Sequence, residues 1–304
     1  MKILLVSNAG WSSSGYGTQV LSLAPRLRDA GHDMAVHAFY GLQGGQLEWK
    51  GIKHYPNGFA PYGNDVVHHW AADHKADIVI TLIDIWVLRQ DIHTLFRFVP
   101  WTPIDHAPIP PMVHERLKHA YAILAYSQFA IDEMQKVGLR PYYITHGVET
   151  DVFKPAPYKK SITRKLYNIP EDCFLVGMVA ANQERAFPTR KGFERVLPAI
   201  KKLRDQGRDV RLYMHTHPTP EMGGISIIDL VKMFDLGDCV YFPGPTVFPS
   251  GGLSREELAE IYNMLDLYLC PSMAEGFGIP LIEAQACGIP VAATNFSATR
   301  ELCS

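Results

Sequence analysis

Two glutamates eight positions apart, Glu275 and Glu283, stand in the stretch Pro271-Ser272-Met273-Ala274-Glu275-Gly276-Phe277-Gly278-Ile279-Pro280-Leu281-Ile282-Glu283-Ala284. Gly276 and Gly278 let the backbone come close to a ligand. Pro280 suits the first turn of a helix, where its missing N–H costs nothing. The free amides of that turn can hold hydroxyl or phosphate oxygens. Carboxylates on either side of a helix N-terminus can grip hydroxyl groups, such as those of a sugar and a ribose. Each charged bond of that kind is worth about 1.5–3 kcal/mol. The plainer alternative leaves Glu275 solvated and Glu283 complementing the helix dipole.

A second stretch, Ala181-Asn182-Gln183-Glu184-Arg185-Ala186-Phe187-Pro188-Thr189-Arg190-Lys191-Gly192, carries three cations before a helical stripe. A diphosphate needs fixed positive charge, for which Arg supplies a fork and Lys a point charge. Arg185, Arg190 and Lys191 are the cations on offer, and a solvated basic loop is the alternative. Near the N-terminus, Ser13-Ser14-Gly15-Tyr16-Gly17-Thr18 is an incomplete dinucleotide fingerprint, with Val20 at the third glycine position. Trp101-Thr102-Pro103-Ile104-Asp105-His106 ends a strand-like run and offers Asp105 and His106. His68, His69, Asp73 and His74 fit no metal-ligand spacing and read as exposed polar residues of a helix. His215-x-His217 ends another strand and could touch a base or nothing.

The elements that must position these groups alternate. Lys2 to Asn8 is a buried-strand run, followed by a helix through Val20, Leu23, Ala24 and Leu27. Asp33–Phe39, Ala76–Ile83, Phe98–Ile104, Ala120–Tyr126 and Tyr142–His146 read as strands, and Gln128–Val137 as a helix. Residues 147–160 hold the best linker. A second series follows: strands Phe174–Ala180, Val210–His215, Cys239–Phe242, Leu267–Cys270 and Pro290–Ala293. Its helices start near Phe193, Ile227, Ser254 and Leu281. Parallel strands need crossover helices, so the prediction is an α/β protein of two doubly wound Rossmann-like domains, 1–155 and 156–304. Ligands of such sheets bind at the carboxyl ends of strands, and the cleft between two such domains is the expected site.

The 304 residues carry 29 Lys plus Arg and 31 Asp plus Glu, so the formal charge is 29 − 31 = −2, which disfavours coating a polyanion. Bulk nucleic-acid binding is therefore not expected. Five scattered cysteines without a Cys-x-x-Cys argue for a reducing compartment and against a disulfide framework or structural zinc. No apolar run is long enough to cross a membrane, and residues 1–7 read as a first strand rather than a signal peptide. A cytoplasmic location follows, at most peripheral to a membrane.

Glu-x7-Glu within Glu275-Gly-Phe-Gly-Ile-Pro-Leu-Ile-Glu283-Ala284, then Cys287-Gly-Ile-Pro-Val-Ala-Ala-Thr294, resembles the signature of the retaining GT-B glycosyltransferases of family 4 (glycosyl transferases group 1). Arg185 and Lys191-Gly192 match the family's Arg, short loop and Lys-Gly, with Arg190 competing for the arginine role. The resemblance implies a GT-B fold and an enzyme that moves a hexosyl or pentosyl group from a nucleotide-diphosphate sugar to an acceptor with retention. Glu275 would contact the donor sugar, Glu283 the ribose, and Gly276, Phe277 and Gly278 sugar hydroxyls or phosphate. Arg185 and Lys191 would stabilise the leaving diphosphate. Gly15 and Gly17 would face the phosphates, and Asp105 and His106 the sugar or acceptor, which could be a glycan, lipid or small molecule. Retention without an obvious nucleophile implies same-face substitution in which the diphosphate takes the acceptor proton.

No Asp-x-Asp occurs, so metal independence is expected and no cofactor beyond the sugar nucleotide. His146 and Glu149 stand where the family's hinge has Asn and Asp. Family members continue past residue 304 to a helix returning to the first domain; its absence here reads as an incomplete second domain with an exposed edge for self-association. The alternative functions are a catalytically impaired sugar-nucleotide-binding protein, and a phosphorylase or synthase on the same fold.

Overall fold

A computed structural model describes residues 1–184 and 186–303. The chain forms two compact units that divide between Gly147 and Val148.

In the first unit the strands are β1 (Lys2–Asn8), β2 (Asp33–Tyr40), β3 (Leu47–Trp49), β4 (Ile52–Pro56), β5 (Ile78–Leu82), β6 (Phe98–Trp101), β7 (Ile123–Ala125) and β8 (Pro141–Tyr143). They form one sheet in the order β3-β4-β2-β1-β5-β6-β7-β8. All pairs are parallel except the hairpin β3–β4. The helices are α1 (Gly15–Asp29), α2 (Val67–His74), α3 (Pro111–Leu117) and α4 (Gln128–Lys136). β1 is central, and Leu4, Leu5 and Val6 lose all contact with solvent. That is why it reads as a continuous apolar run rather than an alternating one.

The second unit holds α5 (Lys159–Leu166), β9 (Phe174–Val179), α6 (Phe193–Asp205), β10 (Val210–His215), α7 (Ile227–Met233), β11 (Val240–Tyr241), α8 (Arg255–Asn263), β12 (Leu267–Cys270), α9 (Ile279–Ala286), β13 (Val291–Ala293) and α10 (Ala298–Leu302). Its sheet is parallel throughout, in the order β11-β10-β9-β12-β13. β9 is the first strand of this unit and lies between β10 and β12. The order therefore reverses beside it, and the carboxyl ends of β9, β10 and β12 make the switch point where such sheets bind ligands. The doubly wound α/β prediction holds in both units.

Three expectations change. The boundary lies eight residues before 155, because residues after Gly147 pack into the second unit. Phe153 is fully buried beside Tyr262, and Asn263 holds the segment by accepting from the Ala156 amide and donating to the Lys154 carbonyl. The stretch is thus anchored chain rather than slack linker. His74 is buried rather than exposed, with its Nε2 3.1 Å from the Asp33 carbonyl oxygen. The strand expected over residues 120–126 shortens to Ile123–Ala125, and ahead of it the Tyr121 amide donates to the Phe98 carbonyl of β6 at 2.8 Å.

An internal ion pair ties α5 to the second sheet. Arg164 is 1% exposed, and its guanidinium donates to the carbonyls of Met264 (2.9 Å), Glu171 (2.7 Å) and Cys173 (3.1 Å). Its last contact is Asp266 Oδ2 at 2.7 Å, and Asp266 also accepts from Lys160 and the Leu175 amide. A buried charge is tolerated only when its donors are satisfied in this way.

Candidate functional site

Lys191 and Glu275 are 84 residues apart in sequence, and two loops at the carboxyl ends of neighbouring strands bring them together. The β9–α6 loop is pinned by the buried Thr189. Its hydroxyl accepts from the amides of Gly192 (3.0 Å) and Phe193 (3.3 Å) and donates to Glu194 at 2.6 Å. Gly192 then starts α6 at φ +73°, and a Cβ there would lie 2.8 Å from the Pro271 carbonyl oxygen. Only glycine permits that approach. The loop after β12 closes against it through the Met273 amide, which donates to the Arg190 carbonyl at 2.7 Å.

The outcome is a cluster of opposite charges. Lys191 Nζ lies 2.5 Å from Glu275 Oε1, and Arg190 Nη1 lies 3.4 Å from Oε2. Arg190 also bonds Glu184 through Nε at 3.0 Å and the Ala274 carbonyl through Nη1 at 3.0 Å. Burial pushes the Glu275 carboxyl upward, but Lys191 and Arg190 outweigh it and hold the group below its usual value. Glu275 is therefore ionised at neutral pH. Arg190, first weighed as a competitor, is the arginine found on this carboxylate; Arg185 lies outside the described residues.

Glu283 is placed differently from the expected pair of ionised carboxylates. It is 5% exposed on α9, and Tyr262 of α8 donates to its Oε2 at 2.7 Å. Burial pushes its carboxyl up to about 7, and Tyr262 and Arg255 only soften the rise. Burial thus favours its neutral form, whereas the cations beside Glu275 favour the charged one. Both glutamates bear electrostatically on the buried Tyr268 at the β12 end of the sheet. Between them, Gly278 caps α9 at φ +110° with Pro280 in the first turn, Phe277 is buried and Gly276 is half-buried. The loop from β13 closes the other side, where Ser297 accepts from the Glu275 amide at 2.9 Å.

Beyond β10, His215 and His217 both lie against Phe248, at ring-centre distances of 5.5 and 5.7 Å. Burial pushes His215 down to about 4, so it is neutral. Asn182 locks this region to the β9 loop through the His217 and Ile225 carbonyls.

In the first unit, Gly15 opens α1 and Ser14 caps it by accepting from the Gly17 amide at 3.0 Å. A Cβ on Gly17 would lie 2.3 Å from Ser12 Oγ and 2.5 Å from the Ser12 carbonyl oxygen, so its own loop demands glycine there. Asp105 and His106 follow β6 and pair with each other, Nδ1 to Oδ1, at 2.5 Å; His106 is mostly exposed. Tyr16, in the glycine loop, donates to Asp84 at 3.1 Å and is bonded to Tyr126, and Asp105 acts on both phenols. His146 is buried against Trp101 and Tyr126 and is pushed down to about 3 by that burial.

Among the described residues no group of three or more His, Cys, Asp or Glu side chains could hold a metal ion. No described helix is long and apolar enough to cross a membrane. Tyr262 and Ser297 were not among the sequence candidates. Their partners lie 21 and 22 residues away on other elements, and no local spacing signals either contact.

The second unit matches a known family. Residues 176–304 match the family described as glycosyl transferases group 1, which makes this region a domain of that kind. A D-inositol 3-phosphate glycosyltransferase of Mycolicibacterium smegmatis is 33% identical over 151 residues, covering 48% of this chain and 30% of the relative. An MMP alpha-(1->4)-mannosyltransferase of Mycolicibacterium hassiacum is 33% identical over 112 residues, covering 37% of this chain and 25% of the relative. The chain thus spans about a third or less of the length of these curated relatives. Among solved structures, a sucrose-phosphate synthase from Thermosynechococcus elongatus superposes with a TM-score of 0.77 at 19% identity, covering 98% of this chain and 82% of that one. The catalytic domain of starch synthase IV from Arabidopsis thaliana, bound to ADP and acarbose, gives 0.69 at 13% identity over 98% and 83%. The two-unit α/β fold is that of the GT-B glycosyltransferases.

Proposed function

We propose, from a second unit that carries a glycosyl transferases group 1 domain, that this protein transfers a sugar from a nucleotide-diphosphate sugar to an acceptor hydroxyl with retention of configuration. The observation that carries the reading is the convergence of Lys191, Arg190 and Glu275 at the carboxyl end of the second sheet. Two cations held on fixed loops suit a diphosphate, and the carboxylate beside them suits a sugar hydroxyl. The similarly folded starch synthase IV domain, whose structure holds ADP, supports a donor of this class.

In this reading Lys191 and Arg190, with Arg185, carry the diphosphate. Glu275 and the Gly276–Gly278 backbone hold the sugar, and Glu283 accepts from the ribose hydroxyls. The bond from the anomeric carbon to the diphosphate breaks while the acceptor oxygen bonds the same face. The acceptor proton passes to the departing phosphate oxygen, and the cations stabilise the charge that grows there. The reading assigns to Lys191 and the arginines the work a metal would otherwise do.

The test is a thermal-shift screen with UDP, GDP and ADP, followed by nucleoside-diphosphate release from their sugars. A nucleotide at 100 times its Kd should add about 2.7 kcal/mol of stability. Lys191→Ala should weaken the response about ten- to a hundred-fold, the equivalent of about 1.5–3 kcal/mol. No shift with any of the three nucleotides would overturn the reading.

A further inference from the structure

Ser297 precedes α10 with φ +54° and ψ −147°, a backbone conformation that side chains other than glycine's rarely adopt. It is 3% exposed. Its hydroxyl is the acceptor for the Glu275 amide at 2.9 Å, 22 residues away. The turn around it is tightly held. The Phe296 amide donates to the Thr294 carbonyl at 2.8 Å. Thr299 donates to the carbonyls of Thr294 (2.6 Å) and Phe296 (2.7 Å), and the Thr294 amide donates to Cys270 at 3.2 Å. A serine is thus kept in a glycine conformation by a scaffold that over-determines it, and its hydroxyl holds the loop carrying the carboxylate on Lys191. Strain of this kind persists where the surroundings enforce it, and it collects at functional sites.

We propose that Ser297 is a positioning residue: it fixes the Glu275 amide, and through it the Gly276–Gly278 turn, in the geometry that receives the donor sugar. This rests on the glycosyltransferase reading for its ligand, but the positioning itself does not. Loss of the hydroxyl frees the Glu275 N–H and leaves the loop after β12 held by its ties to Arg190 and Lys191, which fix the Met273 amide, the Ala274 carbonyl and the Glu275 carboxylate but not the Glu275 amide.

Two variants separate backbone from side chain. Ser297→Gly keeps the required φ and removes the hydroxyl; Ser297→Ala removes the hydroxyl and keeps the strain. Ser297→Gly should therefore fold and melt above Ser297→Ala. Hydrogen exchange read on peptides covering residues 273–278 should speed up at least ten-fold in both variants. In a transfer assay with the responding sugar nucleotide, donor KM should rise about ten-fold, with acceptor KM unchanged. Unaltered exchange over 273–278 in both variants overturns the proposal, as does faster exchange with donor KM and kcat both unchanged. Faster exchange in a set where even the wild type ignores every nucleotide supports the positioning and overturns the glycosyltransferase reading instead.

Discussion

Replacing Glu283 with Gln should stabilise this protein at alkaline pH and do little at acid pH. The carboxyl is 5% exposed and held by one phenol, and burial lifts it from 4.5 to about 7. Between those values the unfolded chain has released the proton and the folded chain keeps it. Folded protein therefore binds more protons there, and stability falls as pH rises through the window. At about 1.36 kcal/mol per pH unit, a rise from 4.5 to about 7 makes the ionised group cost roughly 3 kcal/mol above pH 7. Gln keeps the shape and can accept from Tyr262, but it never ionises. His37 and His215, pushed down to about 4 by burial, and His146, pushed to about 3, act in the opposite direction, losing stability as pH falls below 6.5. The effect is therefore read as the difference between wild type and Glu283→Gln, in which the histidines cancel. Urea melts from pH 4.5 to 8 should show that difference opening by about 3 kcal/mol, or roughly 6–12 °C in Tm for a unit of this size. Parallel curves, or a wild type that gains on the variant as pH rises, would refute the burial argument.

Arg164→Ala should destabilise the second unit by about 3–5 kcal/mol, because it leaves Asp266 and three carbonyls without their buried donor; a urea melt of that unit measures it. Gly17→Ala should cost about 1–3 kcal/mol through overpacking, since the new methyl meets the Ser12 carbonyl; the melting transition of the first unit should drop while that of the second holds.

The alternation of strands and helices was legible because the buried central strands, β1 and β9 among them, are unbroken apolar runs and several helices carry clear caps. The capping box at Ser254–Glu257 forms as its pattern predicts, and Gly31 takes φ +89° just past α1. β3 escaped because three residues, mostly exposed, leave no periodicity to read. Lys191 and Glu275 stood out through the resemblance to the family signature; from their types and spacing alone, solvated loop residues remained the plainer reading. The charge states were not. Glu275 and Glu283 are the same residue type in one motif, yet two neighbouring cations keep one ionised while burial lifts the other towards neutral pH against the pull of a tyrosine from α8. Such differences are set by groups far away in the chain, which local spacing does not report.

The grip of Lys191 and Arg190 on Glu275 has a consequence for how the pocket fills. Glu184 and Glu275 already serve as counter-ions to the two positive groups. In the function proposed above, a diphosphate would have to compete with these carboxylates, so that loading would exchange one anion for another.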